Sequence, residues 1–183
     1  QSASTSLLKR VVQQFPNSSR LDEATFRLGE AAYEQGNLEE AISQYSAVVQ
    51  RWPDGQFAPH AQYGLGWTYF NAEEFVSTIE AMSTLLEKFR TSEVAAKGYY
   101  VRAMANYQIG ELQSVLNDVQ AYLLTNPKLN DAQDAKYVKG LALAGLGKFD
   151  DAASEYAVSI TDYAGSAQSI ASGDVYGVIS QSA

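Results

Sequence analysis

The sequence predicts an all-α protein built as an array of antiparallel helix hairpins. Gly29, Gly66, Ala103 and Gly140 lie 37 residues apart, and so do Phe26, Tyr63, Tyr100 and Tyr137. Pro16, Pro53 and Pro127 fall on the same grid, with Arg90 in the remaining slot. Between these markers the apolar residues recur at helical rather than strand spacing. A period held through several copies marks a duplicated unit, and units of this kind bury their apolar faces by stacking on one another.

Residues 7–17 form the first element. Leu8, Val11, Val12, Phe15 and Pro16 sit 37 positions before Tyr45, Val48, Val49, Trp52 and Pro53. They therefore read as the second helix of a truncated repeat. Repeat 1 spans 18–54. Ser19 with Asp22 or Glu23 marks a helix start, because a hydroxyl and acids suit the free N–H groups there. Ala24, Leu28 and Ala31 then line one stripe, and Phe26, Gly29 and Tyr33 the next. Gly36–Asn37 supplies the left-handed residue that ends the helix. A second helix follows on Leu38, Ala41, Ile42, Tyr45, Val48, Val49 and Trp52, and Pro53-Asp54-Gly55 stops it.

Repeats 2 (55–91), 3 (92–130) and 4 (131–166) follow the same plan. The turn falls at Gly36, Glu73, Gly110 and Gly147, and the second helix opens on Leu38, Phe75, Leu112 and Phe149. Its central contacts are Tyr45, Met82, Val119 and Tyr156. The last stretch, 167–183, places Tyr176–Gly177 on the grid but is rich in Ser, Ala and Gly. It reads as a capping or truncated helix. Both ends look cut from a longer array.

Bulk properties narrow the function. The 183 residues are 46% hydrophobic, too apolar for a disordered chain. The net charge is −8, and no repeat is net positive. A nucleic-acid partner, which needs a basic stripe, is not expected. The absence of cysteine rules out disulfides, thiolate metal sites and cysteine nucleophiles. No stretch of about 18 apolar residues predicts a membrane span.

Catalytic constellations are missing. His60 stands alone in Ala58-Pro59-His60-Ala61, with no nucleophile or orienting acid in a motif around it. One histidine does not make a zinc site. The glycines from Gly140 to Gly147 lack the Lys-Ser/Thr of a phosphate loop, and serve close helix packing and a helix end instead. The acid pairs Glu39–Glu40, Glu73–Glu74 and Asp150–Asp151 recur at second-helix starts, where the helix dipole favours acids. No enzyme activity, cofactor or metal is expected.

Leu28–Gly29, Ala41 and Pro53, Leu65–Gly66, and Gly140 with Gly147-Lys-Phe-Asp-Asp-Ala152 together resemble the tetratricopeptide repeat. The likeness covers about residues 7–166. The period of 37 departs from the usual 34, and Arg102 and Lys139 replace the expected leucine. Their stems can cover apolar surface, or Val101 and Val138 pack in their place. The long period and the aromatic-Pro helix ends are similar to bacterial envelope members of the family, namely outer-membrane assembly lipoproteins and the periplasmic Tol–Pal coordinator. That likeness implies a periplasmic or envelope-associated location rather than a cytoplasmic one.

The resemblance implies a right-handed superhelix whose first helices line a concave groove. Phe26, Tyr63, Tyr100 and Tyr137 would form one aromatic row, and Tyr33, Phe70 and Tyr107 another. Glu30, Trp67, Met104 and Leu141 would lie between them. Those aromatics suit anchors for a bound peptide, with Trp67 the foremost contact. They suit inter-hairpin core equally well. The groove edge, Glu23, His60, Lys97 and Asp134, offers one lysine, so a C-terminal carboxylate is not the expected ligand. The expected function is a scaffold that binds a protein or peptide segment. The alternatives are a spacer module that self-associates through open array ends, or an accessory domain of an enzyme.

Overall fold

A computed structural model describes residues 3–15 and 17–162. Among the described residues every regular element is a helix. These are α1 (Ala3–Gln14), α2 (Leu21–Glu34), α3 (Leu38–Arg51), α4 (Ala58–Asn71), α5 (Phe75–Lys88), α6 (Ala95–Gln108), α7 (Leu112–Leu123), α8 (Leu129–Gly145) and α9 (Phe149–Asp162). The expected capping segment, 167–183, lies outside the described residues. The chain divides into two compact units, Gln1–Val101 and Arg102–Ala183, with the division inside α6.

The 37-residue grid is visible in the helix starts. Leu38, Phe75, Leu112 and Phe149 are the first residues of α3, α5, α7 and α9. The preceding turn is a Schellman motif repeated four times. Gly36, Glu73, Gly110 and Gly147 all have positive φ, between 61° and 80°. In each copy the N–H of that residue bonds back to a carbonyl three residues earlier (Tyr33, Phe70, Tyr107, Ala144), and the next N–H bonds to one five residues earlier (Ala32, Tyr69, Asn106, Leu143). These pairs satisfy carbonyls that the helix end leaves open. Because left-handed backbone crowds a Cβ, three copies use glycine and only Glu73 departs.

Two expected starts need correction. α2 begins at Leu21 with Arg20 as its flanking residue, and no side chain caps it. Ser18 rather than Ser19 supplies a hydroxyl, accepting from the Arg20 N–H at 3.2 Å. The Glu73–Glu74 pair precedes α5 instead of opening it, because Glu73 forms the left-handed turn. Asn37 does cap α3, accepting from the Glu40 N–H.

Within each hairpin the first helix packs on the second where the repeat has its glycine. A methyl placed on Gly29 would stand 2.7 Å from the Tyr45 ring, and one on Gly140 would stand 2.5 Å from the Tyr156 ring. Gly66 meets the flexible end of Met82 in the same way. The third copy has Ala103 and the smaller Val119 at these positions, both fully buried. Small residue and large partner thus vary together, as close packing requires. In the first unit Phe26, Ala32, Ala41, Tyr45, Val48, Ala61 and Leu65 form one continuous core across α2, α3 and α4. In the second, Leu143, Ala152 and Tyr156 centre the core of the α8–α9 hairpin.

The two odd leucine replacements are ion pairs. Arg102 donates from Nε and Nη2 to the Asp118 carboxylate, at 2.9 and 2.6 Å. Asn106 donates to the same carboxylate at 3.2 Å. Lys139 pairs with Glu155 at 2.5 Å. Val101 and Val138 are buried beside them, so inward valines and paired basic side chains occur together.

Candidate functional site

The first unit carries a concavity of about 310 Å³ lined by Tyr33, Gly64 and Trp67. Tyr33 comes from the last turn of α2. Gly64 and Trp67 lie one turn apart on α4. The three other copies place Arg27, Val101 and Val138 on the grid position of Gly64. A side chain at Gly64 would be crowded from below, since an added Cβ would stand 2.8 Å from Cζ of Tyr45. Gly64 therefore receives the tip of a core tyrosine on one side and leaves open space on the other.

The aromatic wall is closely packed. Trp67 packs edge-to-face on Tyr63 (centroids 6.4 Å, 84°) and on Phe70 (5.7 Å, 81°), and Phe70 packs on Phe75 at 5.6 Å. Such geometries are the favoured ones for aromatic pairs. Tyr33 is held from the far side, where Asn71 donates from Nδ2 to its hydroxyl at 2.6 Å. This bond ties the C-terminal ends of α2 and α4 together across the opening.

The eight aromatic candidates fall into different settings. Tyr33 and Trp67 line the concavity, and Tyr63 and Phe70 support Trp67. Tyr100 is half-buried on α6. Phe26 is a core residue, 7% exposed and stacked on Phe57 at 5.3 Å. In the second unit Tyr137 packs on Tyr156 at 5.8 Å, and both phenols are pushed up, first by burial. Tyr107 adds to both shifts. Sequence reasoning passed over Gly64, Asn71 and Phe57. The break in the grid at Gly64, where two other copies have valine, was the signal available for the first of these.

Charge around the concavity is uneven. Glu30 is held by Arg27 at 2.7 Å, which raises the arginine's pKa. Glu34, one turn further, is exposed, and among the described residues no ion pair engages it. The Tyr45 phenol beneath is raised first by burial, then by Glu30, Tyr33 and Glu34. At the expected groove edge, His60 meets Glu93 at 3.1 Å and lies edge-on to Phe26. Glu23 is engaged by Arg20. The Asp134 carboxyl is raised, first by burial and then by Asp131. Among the described residues no cluster of three or more His, Asp or Glu side chains could hold a metal. None of the described helices is long and apolar enough to cross a membrane.

The family model "YfiO: Outer membrane lipoprotein" matches residues 19–110. No curated protein matches the chain in sequence. Several solved structures share its fold. MamA from Desulfovibrio magneticus RS-1 superimposes with a TM-score of 0.72 at 13% identity, over 97% of this chain and 84% of that one. YrrB, a TPR protein with an unusual peptide-binding site, gives 0.70 at 17% identity, over 94% and 81%. TTC0263, a thermophilic TPR protein of Thermus thermophilus, gives 0.64 at 14% identity, over 96% and 88%. These likenesses establish the helical-repeat fold.

Proposed function

We propose, from the premise that this chain belongs to the YfiO family of outer membrane lipoproteins, that it is a non-enzymatic scaffold in the bacterial envelope. It holds a segment of a partner protein on its first-helix face, which the tetratricopeptide resemblance makes the concave one. The carrying observation is the concavity between Tyr33 and Trp67. A half-buried tryptophan packed between two edge-to-face neighbours is a low-entropy anchor, the kind of residue that dominates binding energy at interfaces. Its packing before binding lowers the ordering cost on association.

Site-specific crosslinking tests this reading. Benzoylphenylalanine placed at Trp67 should form adducts with envelope proteins. The same group at Gln50, exposed on α3, should not. Equal adducts from both positions, or none from 67, would overturn the assignment.

A second reading rests on α1. Leu7 is 59% exposed and Phe15 57%, an apolar surface on the half-repeat. Copies could associate through it. Mass that rises with concentration, and falls back on Leu7→Glu, would support it. A monomer at high concentration would remove it.

A further inference from the structure

The two walls of the Tyr33–Trp67 concavity differ in charge. α2 carries four acids, Asp22, Glu23, Glu30 and Glu34, against the single base Arg27. α4 carries no Asp, Glu, Lys or Arg. Two of these acids, Glu30 and Glu34, fall near Tyr33 at the C-terminal end of α2, while the α4 side is aromatic and uncharged. Glu30 and Glu34 bracket Tyr33 along α2, with Glu30 already shared with Arg27. Among the described residues no ion pair engages Glu34, which directly follows Tyr33 on α2.

A leucine or phenylalanine would fill such a space but offer nothing to Glu34. A basic side chain answers both walls. Its stem or guanidinium plane covers the indole, the best of the aromatic faces for a cation, and its charge faces the carboxylate. The volume, about 310 Å³, suits one long side chain and lies at the small end for ligand pockets. The net charge of −8 favours encounter with a basic segment. Resting on the scaffold reading above, we infer that the Tyr33–Gly64–Trp67 concavity takes an arginine or lysine side chain of the partner segment, with Trp67 against the cation and Glu34 facing it.

The chain has two tryptophans, so Trp52→Phe leaves the Trp67 indole N–H as a single NMR reporter. Trp52 follows α3, does not line the concavity, and has Arg51 over its ring. Three capped tripeptides serve as probes: Ac-Gly-Arg-Gly-NH2, its citrulline counterpart, and its leucine counterpart. Citrulline keeps the shape of arginine and removes the charge. The arginine peptide should shift the indole resonance and bind about fivefold or more tighter than the citrulline peptide, a cation–π-sized preference. Glu34→Gln, at an exposed position, should shrink that ratio while the far-UV CD spectrum stays unchanged. Equal binding of arginine and citrulline peptides, or tighter binding of leucine, overturns the cation assignment and leaves the scaffold reading standing. A resonance that none of the three peptides moves also overturns it, and the crosslinking at position 67 then decides the scaffold reading separately.

Discussion

Arg102 grips Asp118 sixteen residues downstream, and the same spacing joins Lys139 to Glu155. On the repeat grid these pairs stand where the first two copies have Leu28 with Gln44 and Leu65 with Ala81. These positions on the two helices of a hairpin are thus uncharged in the first two copies and ionic in the later ones, with both partners changing together. The Asp118 carboxylate is buried and accepts from three N–H groups.

That pairing sets up a double-mutant test. Arg102→Leu leaves a buried carboxylate with only Asn106 beside it, and should cost about 3–5 kcal/mol. Arg102→Leu with Asp118→Ala recreates the Leu65–Ala81 pair of the second copy and should recover most of that loss. Urea unfolding of the four variants gives the coupling energy. Additive losses would show that the two side chains act independently.

Glu73 is the one non-glycine in the four hairpin turns, held at φ 61°. Glu73→Gly should stabilise the protein by about 1 kcal/mol, since it relieves left-handed strain at an exposed site. The reverse change, Gly110→Ala, should destabilise by a similar amount. Thermal unfolding should move by about 2–4 °C in opposite directions. A Glu73→Gly variant that melts lower would mean that the glutamate side chain stabilises this turn.

Tyr45 offers a test with a defined sign. Its folded-state pKa is raised, first by burial and then by Glu30. The protonated phenol therefore contributes its full stability below the ordinary tyrosine value near 10. That contribution is lost as pH climbs from there through the folded-state value. Tyr45→Phe cannot ionise, so its unfolding free energy should fall less steeply above about pH 10, by up to about 1.4 kcal/mol per pH unit. Tyr156, raised for the same first reason, keeps part of the slope in that variant. Identical slopes in variant and parent would show that Tyr45 ionises freely in the fold.

The hairpin grid was legible because its signals are local. A left-handed turn asks for glycine, and Gly36, Gly110 and Gly147 announced it. A second helix opens on a large apolar residue right after, and the start of each such helix fell where that spacing put it. Ser19 misled because a hydroxyl near a helix start need not point at the free N–H groups. Glu73–Glu74 misled because an acid pair can sit in the turn as readily as past it.

The aromatic row shows where local reasoning stops. Phe26 and Tyr63 hold the same place on the grid, yet Phe26 is buried while Tyr63 is half-buried and packs on Trp67. Phe57, at the start of α4, stacks on Phe26, and Tyr45 and His60 pack on it as well. No periodicity within one helix reports what a neighbouring hairpin lays over it.

By itself the sequence determined the helical hairpins and their turns, because each depends on residues a few turns apart. Only the tertiary structure decided that Gly64 opens a concavity over Tyr45, that Asn71 ties down Tyr33, and that Arg102 and Lys139 find acids on the next helix. Those outcomes depend on how side chains from separate helices share one space, which spacing along a single chain does not encode.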